Sequence, residues 1–360
     1  MKLPRHAEIW LPGYINNRLH RLTHPALPKR VWLAICDHYE PLWAKPDLPT
    51  AQGRVAIWRR KWPEITARCA KDSAGQAPKY TFFSPQEEYR PEFLAPLAEM
   101  THAGIADVEV HIHHDGDSRD EFIRKMTDFC QVLHKQHGLL RRRQDGKLTF
   151  GFIHGNWALD NSLPGGRWCG LNDEIAILRD LGCYADFTMP SGNSPSQARL
   201  VNTLYWCTND PRRPKSYDFG QAVVVGGGVE GDLLMIPGPL GLRWAERLLP
   251  RMETGELAST DIPTAYRVRR WFDLAPRLGE DVFIKLYTHG AQERNSSVLL
   301  SGALEQLFFF VAREATSRNC EFYWVSAWQM YQAIDCVRRG FDPASGAGIQ
   351  AHALPTEKAR

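Results

Sequence analysis

One short segment of the chain carries most of its candidate metal ligands. It reads DVEVHIHHDGD from 107 to 117 and has the character of a strand that runs into a polar loop. Successive side chains of a strand alternate between its two faces, so His111 and His113 are predicted to point the same way, with Asp115 at the turn that follows. Imidazole and carboxylate groups at this spacing are typical zinc ligands. The segment therefore predicts a metal site at the end of a strand.

Histidine, aspartate and other polar side chains also lie at the ends of further predicted strands. They are Asp37 and His38 after the first strand, His154, Asn156 and Trp157 after the fourth, Asp186 in the fifth and His289 after the seventh. The carboxyl ends of parallel strands meet at one edge of a sheet, where active sites of barrel enzymes lie. These residues are therefore expected to surround one site.

The elements that must position these residues are apolar runs alternating with helical segments. This order is typical of an α/β protein with a parallel sheet covered by helices, and seven or eight such units predict a distorted (β/α)7-8 barrel. Ser118 followed by an acidic first turn predicts a helix over 118–138, and apolar spacing predicts another over 242–252. The polar, Pro- and Gly-rich stretch around 205–231 predicts a hairpin insertion.

The domain organisation follows from the same reading. Residues 30–340 are expected to form a single barrel domain, preceded by an N-terminal extension over 1–29 and followed by a disordered tail over 341–360. The 360 residues are 43% hydrophobic with a net charge of only +3, which argues against a dedicated nucleic-acid binder.

Targeting signals and cysteine pairs are not apparent in the sequence. No uninterrupted apolar segment of bilayer length and no signal-type apolar core are recognised, so a cytoplasmic protein without a transmembrane segment is expected. The eight cysteines are scattered and form no Cys-x-x-Cys pair. They are expected to be reduced core residues rather than a disulfide framework or a zinc ribbon.

The residue types at the strand ends suit hydrolysis of an amide or ester. One carboxylate and two imidazoles form a three-ligand site that leaves one position for water. A divalent metal there, zinc first and cobalt, nickel or manganese as alternatives, brings the pKa of that water toward neutrality. A further histidine on the opposite side can protonate a leaving amine.

The order of these motifs resembles the polysaccharide deacetylase superfamily, known also as the NodB-homology or carbohydrate esterase family 4 fold. Cys36-Asp37-His38 corresponds to the family's first motif, His111 and Asp115 to its second, and Leu286 to His289 to its closing Leu-x-x-His. The resemblance spans about 30 to 334. It implies a metal-dependent hydrolase that removes an acetyl group from an amino sugar or a glycan intermediate.

The resemblance also implies roles for the candidate residues. Metal ligands are expected from Asp37, His111, His113 and Asp115, and catalytic roles from Asp37, His38 and His289, the last as the proton donor to the departing amine. If Asp37 matches the family's second aspartate, Cys36 stands at the base position; if it matches the first, His38 stands at a ligand position. His113 is an alternative to Asp115.

The walls of the site are expected to bind the sugar. His154, Asn156 and Trp157 stand where the family carries an Arg-x-Pro-Tyr loop, and Asp186 ends a neighbouring strand. The expected partner is a carbohydrate substrate, which in the cytoplasm would be a nucleotide- or lipid-linked sugar or a glycan under assembly.

Two other functions remain open at this point. A glycoside hydrolase on a related barrel would need two carboxylates, for which Asp186 with Glu40 or Asp160 is available. A catalytically inactive barrel could instead bind glycan through some of the twelve tryptophans.

Overall fold

The protein is a mixed α/β structure built around one large, mostly parallel sheet. The computed structural model describes residues 3–23, 27–143, 145–244 and 250–345. Its strands are β1 Arg30–His38, β2 Tyr80–Pro85, β3 Ala106–Ile112, β4 Arg141–Arg142, β5 Leu148–His154, β6 Cys183–Asp186, β7 Tyr205–Cys207, β8 Gly220–Ala222, β9 Leu233–Met235, β10 Gly241–Arg243, β11 Arg251–Glu253, β12 Glu256–Leu257, β13 Arg277–Leu278, β14 Asp281–Thr288 and β15 Glu321–Trp324.

The main sheet runs in the order β12-β14-β1-β2-β3-β5-β6-β9-β7-β8. The pairs from β12 through β9 are parallel, and β7 and β8 add an antiparallel hairpin at one end. The hairpin lies within the polar insertion predicted over 205–231. Because the central strands are parallel, their carboxyl ends meet at one edge, as the sequence predicted for the candidate site.

Nine α-helices lie within the described residues. They are α1 Ala7–Thr23, α2 Leu48–Arg68, α3 Pro91–His102, α4 Arg119–His137, α5 Glu174–Leu181, α6 Ala265–Leu274, α7 Glu293–Val298, α8 Leu304–Ser317 and α9 Ala327–Arg338. The predicted α4 is confirmed together with its start signal: Ser118 accepts a hydrogen bond from the Glu121 backbone N–H, and the Glu121 carboxylate accepts one from the Ser118 backbone N–H. Gly138 ends this helix in the left-handed conformation, with φ of 64°.

Two apolar cores lie on opposite faces of the sheet. In β1, Leu33 and Ile35 belong to the larger core, which includes residues of α2, α3, α4 and α8, whereas Ala34 and Cys36 belong to the smaller core, which includes residues of α9. Neighbouring side chains along a strand therefore belong to different environments. This alternation decides which polar residues at the strand ends can meet.

Two parts of the chain differ from the sequence prediction. The helix predicted over 242–252 is wrong at both ends, because β10 and β11 pair antiparallel there, with Gly241 opposite Glu253; residues 245–249 lie outside the described residues. Tertiary pairing overrides apolar spacing, because Met252 packs with Trp10 in a small satellite core. The N-terminal extension contains α1, whose Arg21 donates to the carbonyl oxygens at the end of α6. The predicted tail lies outside the described residues beyond 345.

One helical stretch, Glu293–Ser317, is long and apolar enough to cross a membrane by length and composition, among the residues described. Half of its apolar window is buried inside the protein. Leu304, Leu307 and Phe308 of this stretch are part of the larger core. Core helices of soluble proteins pass the same test, so the finding is weak evidence for a membrane span.

Candidate metal centre

His111 presents a bare nitrogen to a carboxylate. Its Nδ1 lies 2.8 Å from the Ile153 carbonyl oxygen. A carbonyl only accepts, so Nδ1 carries the hydrogen, and Nε2 of the neutral ring holds a lone pair. That Nε2 is buried without a hydrogen-bond partner and lies 3.3 Å from Glu40 Oε1. A lone pair facing a carboxylate is unfavourable unless a cation, either a proton or a metal ion, lies between them.

His113 faces the Glu40 carboxylate with one ring nitrogen, and a second carboxylate, that of Glu87, bonds to the other nitrogen. Its Nε2 lies 3.6 Å from Glu40 Oε1, and its Nδ1 lies 2.5 Å from Glu87 Oε1. The backbone N–H of His113 donates to the other Glu87 oxygen. A carboxylate behind a histidine is the usual support of a metal-ligating imidazole, since it fixes the ring and its tautomer.

Two further histidines complete what we call the open cluster: His38, Glu40, His111, His113 and His289. Donor atoms of Glu40, His111 and His113 lie within 4.8 Å of one another, as do those of His38, Glu40 and His289. The His38 and His289 rings lie 4.8 Å apart, and His38 Nε2 is buried without a hydrogen-bond partner. These groups can hold a metal ion.

The distances in the open cluster fit a small tetrahedral ion. Bonds of about 2.0–2.2 Å at tetrahedral angles place neighbouring nitrogen and oxygen ligands about 3.3–3.6 Å apart. The separations from Glu40 to His111 and His113 are 3.3 Å and 3.6 Å. Both the donor types and their spacing therefore suit zinc or a similar divalent ion.

The electrostatics of the open cluster favour a charged Glu40 carboxylate and neutral His38 and His289 rings. Burial raises the pKa of Glu40. The nearby His111, His289 and His113 lower this pKa by more than burial raises it, so the net shift is downward. Burial holds the pKa of His38 well below its usual 6.5, and the other histidines add to this shift. Burial likewise lowers the pKa of His289. Neutral imidazole is the form that binds metal.

His113 is the exception among these rings. Burial lowers its pKa, but the bond to Glu87 and the neighbouring carboxylates raise it more, so the net shift is upward. Glu87 shows the reciprocal effect, since burial raises its pKa and the bond from His113 lowers it more. The upward shift favours the protonated ring, so a metal ion on Nε2 would have to displace the hydrogen there while Nδ1 keeps its bond to Glu87.

A polar cleft of about 630 Å³ is connected to the open cluster through two aromatic residues, although none of the five cluster residues lines it. Trp157 and Tyr287 line it, and both rings also lie against His38, at 5.9 Å and 6.1 Å between centroids. Trp168, Asn156 and further polar side chains complete the wall. Aromatic faces among hydrogen-bonding groups suit a polar ligand of sugar size.

The structure does not bring Asp37 to the metal cluster, contrary to the expectation. Asp37 alternates with Cys36 and His38 along β1 and therefore faces the larger core. Its oxygens accept from the Gly290 backbone N–H at 2.7 Å and the Tyr80 hydroxyl at 2.9 Å. Burial raises its pKa to about 8, which the two hydrogen bonds oppose. Among the described residues it belongs to no group of potential ligands.

Asp115 also lies apart from the open cluster. It is exposed, and its Oδ1 accepts from the Trp168 backbone N–H at 2.8 Å. It fixes the loop rather than facing His111, because the chain turns away from the sheet after His113. The position expected of a third ligand is filled instead by Glu40, two residues after His38 on the same face.

His154 lies in a second group, which we call the buried cluster: His114, His154, Cys169 and Glu174. The donor atoms of these four residues lie within 4.8 Å of one another, and all four residues are buried. His154 follows Phe152 on the larger-core face, so it cannot line the cleft together with Trp157. His154 was expected to contact the sugar, but it does not line this cleft, whereas Asn156 and Trp157 do.

The remaining carboxylates have partners of their own. Asp186 accepts from the Thr188 backbone N–H and hydroxyl, and burial raises its pKa to about 7. Asp160 accepts from the Ser216 backbone N–H and hydroxyl, and burial raises its pKa to about 8. Both are buried and hydrogen-bonded, which does not favour the pair of carboxylates that a glycoside hydrolase requires. Asp186 also does not line the cleft described above.

Sequence reasoning missed Glu87, Cys169 and Glu174, and it gave Glu40 a different role. Strand alternation could have found Glu40, because it shares a face with His38. No local signal marks the others, since each approaches its histidine partner from a separate loop or helix.

Comparison with known proteins adds no assignment. No protein-family model matches the chain, and no curated protein matches it in sequence.

Proposed function

We propose that this protein is a metal-dependent hydrolase that removes an acetyl group from an amino sugar or a glycan intermediate, on a distorted (β/α) barrel. One observation carries the proposal: the bare Nε2 of His111 and the Nε2 of His113 converge on the Glu40 carboxylate at 3.3 Å and 3.6 Å, beside a polar cleft. The resemblance to polysaccharide deacetylases supplies the acetamido substrate.

Glu40, His111 and His113 would hold the metal, with zinc as the first choice for two nitrogens and one oxygen. When bound, such an ion polarises a carbonyl and brings the pKa of a water toward neutrality. Glu87 would fix the His113 ring. Three protein ligands leave one tetrahedral position, which is the arrangement of catalytic rather than structural sites.

His289 would move the proton. Burial lowers its pKa, so the ring is neutral near pH 7 and can accept a proton from the attacking water. The imidazolium formed then donates that proton to the departing amine. His38, whose ring lies 4.8 Å from that of His289, can share this role.

The cleft would hold the sugar. Trp157 has its ring 6.0 Å from that of His289, so a sugar stacked on Trp157 would lie next to the proton donor. Asn156 in the same wall offers donors and acceptors for hydroxyl groups. Recognition by stacking and hydrogen bonds is suited to a carbohydrate.

The test is release of acetate from N-acetylglucosamine oligomers and from a nucleotide-linked N-acetyl sugar. Zinc, cobalt, nickel and manganese are added in turn to protein that has been treated with chelator. We expect metal-dependent acetate release without free reducing ends, and its loss in a His111→Ala, His113→Ala double variant. His134→Ala, which changes a histidine of α4, is the matched control.

Two outcomes contradict the proposal. Free reducing sugar in place of acetate would indicate glycoside hydrolysis. Protein that binds none of the four metals in the wild-type form would remove the basis of the site.

A further inference from the structure

We infer that the buried cluster of His114, His154, Cys169 and Glu174 is a second metal site, structural in role, that takes a zinc-class ion and fixes the loop over 155–173. The inference concerns the larger-core face of the sheet and does not rest on the proposed function. Its donors are two nitrogens, one sulfur and one oxygen, a set that suits zinc and excludes magnesium or calcium.

The separations from the Glu174 oxygens lie close to the edges of a tetrahedron, and the two Nε2 atoms are closer together than such an edge. Nε2 of His114 and Nε2 of His154 are 3.0 Å apart, and Glu174 Oε1 lies 3.2 Å and 3.3 Å from them. Cys169 Sγ lies 3.4 Å from Glu174 Oε2. Bonds of about 2.0–2.3 Å to a central ion produce edges of about 3.3–3.6 Å between such donors.

The tautomer of His154 leaves a nitrogen lone pair aimed into the cluster. His154 Nδ1 lies 2.6 Å from the Gly155 carbonyl oxygen, so it donates there and leaves Nε2 bare. His114 Nδ1 is buried without a hydrogen-bond partner and lies 3.6 Å from Asp117 Oδ2. With an ion on Nε2, the hydrogen of His114 would reside on Nδ1 and face the Asp117 carboxylate, a common support of metal-bound histidine.

Cys169 is surrounded in the way a thiolate ligand requires. Its sulfur accepts the backbone N–H groups of Asn161 at 3.2 Å and Leu171 at 3.5 Å. The second Glu174 oxygen also accepts from the Asp160 backbone N–H at 2.6 Å.

The loop between these ligands contains several non-glycine residues in the left-handed backbone conformation. Asn156, Trp157, Asp160, Asn161 and Trp168 all have positive φ between 53° and 63°. Such backbone conformations are strained for non-glycine residues, and they persist only where the surroundings over-determine them. Because His154 precedes the loop and Glu174 follows it, an ion held with Cys169 would close both ends and hold Trp157 in the cleft.

Burial distinguishes this site from a catalytic one. The side chains of His114, His154 and Glu174 are 0% exposed, and so is Cys169. Four protein ligands fill a tetrahedral shell and leave no position for water or substrate, as in structural zinc sites.

The experiment uses the full chain loaded with cobalt in place of its native metal. A thiolate bound to cobalt produces a charge-transfer band in the near ultraviolet, whereas nitrogen and oxygen ligands do not. We expect two cobalt ions per chain and a thiolate band in the wild type. Cys169→Ser should lose the band and one ion, Cys130→Ser of α4 should keep both, and the His111→Ala, His113→Ala variant should lose one ion but keep the band.

The outcomes separate this inference from the proposed function. One ion per chain without a thiolate band, lost in the His111→Ala, His113→Ala variant, overturns the second site and leaves the hydrolase proposal standing. If the wild type binds one ion with the thiolate band and the His111→Ala, His113→Ala variant retains both, the buried cluster is the metal site. The open cluster then binds no metal, which contradicts the hydrolase proposal. If Cys169→Ser does not fold, the wild-type spectrum alone decides, since a cobalt-loaded wild type without the band contradicts the inference.

Amide exchange provides a second measurement. Zinc added to chelator-treated protein should slow exchange over 155–173 in the wild type and in the His111→Ala, His113→Ala variant. Equal exchange with and without zinc would show that the ion does not fix the loop.

Discussion

The open cluster and the buried cluster use similar donors on opposite faces of neighbouring strands. His111 in β3 and His154 in β5 lie on different faces of the sheet. The residue before His154, Ile153, accepts a hydrogen bond from the His111 ring through its backbone carbonyl oxygen. The open cluster adjoins a cleft and gathers histidines around one carboxylate. The buried cluster has four donors of mixed type and no exposure. Access to solvent and the number of ligands, rather than residue type, assign different roles to the two sites.

The largest expected effect on the rate of hydrolysis comes from removing one histidine of the open cluster. His111→Ala removes the bare Nε2 that faces Glu40, and hydrolysis should fall on the order of 10³-fold, within the range for groups at a catalytic centre. The thiolate–cobalt band of the buried cluster should be unchanged. His102→Ala in α3 serves as the control, and a loss of that band in His111→Ala would mean that the two clusters are not independent.

Replacing the proton-transfer histidine should affect turnover but not metal. His289→Ala is expected to lower kcat on the order of 10²-fold, because one acid-base group is lost. Metal content, measured by elemental analysis, should match the wild type. An acetylated substrate with a better leaving group should lose less, since it needs less protonation. Full activity on an unactivated N-acetyl sugar would exclude the proton donor role.

A smaller effect is expected from the residue behind His113. Glu87→Ala removes the carboxylate that orients the ring, and loss of such support weakens metal affinity roughly 10- to 100-fold. Competition with a chelator of known affinity measures this change. Glu92→Ala in the first turn of α3 is the control. Unchanged affinity in Glu87→Ala would place the metal elsewhere than on His113.

The last prediction concerns a buried carboxyl that belongs to neither cluster. The pKa of Asp186 is raised to about 7 by burial, against an ordinary value of about 4. Between these values the native state holds a proton that the unfolded chain has released, so the free energy of unfolding should fall as pH rises from 4 to 7. The contribution is roughly 1 kcal/mol per pH unit while one proton is exchanged.

Denaturant unfolding at several pH values tests this prediction. Asp186→Asn should flatten the pH dependence over this window, whereas Asp128→Asn on the exposed side of α4 should not. A wild-type profile that rises from pH 4 to 7 in parallel with the Asn variant would show that Asp186 is ionised throughout.

Local sequence determined the elements and several of the ligands. The alternation in β3 placed His111 and His113 on one face, and the Ser118 cap with Glu121 fixed the start of α4. Alternating apolar runs and helices indicated a parallel sheet with its polar residues at the carboxyl ends. These features depend on a few neighbouring residues, which is why sequence alone could predict them.

Tertiary structure decided which polar residues meet. Asp37 and Glu40 are both acids near the end of β1, but strand alternation and the hydrogen bond from Tyr80 hold Asp37 on the larger-core face, whereas Glu40 faces His111 and His113. Cys169 and Glu174 reach His114 and His154 through a loop whose left-handed residues have no sequence pattern. Contacts between residues 5 to 60 positions apart depend on the path of the whole chain, so only the folded structure could reveal the buried cluster.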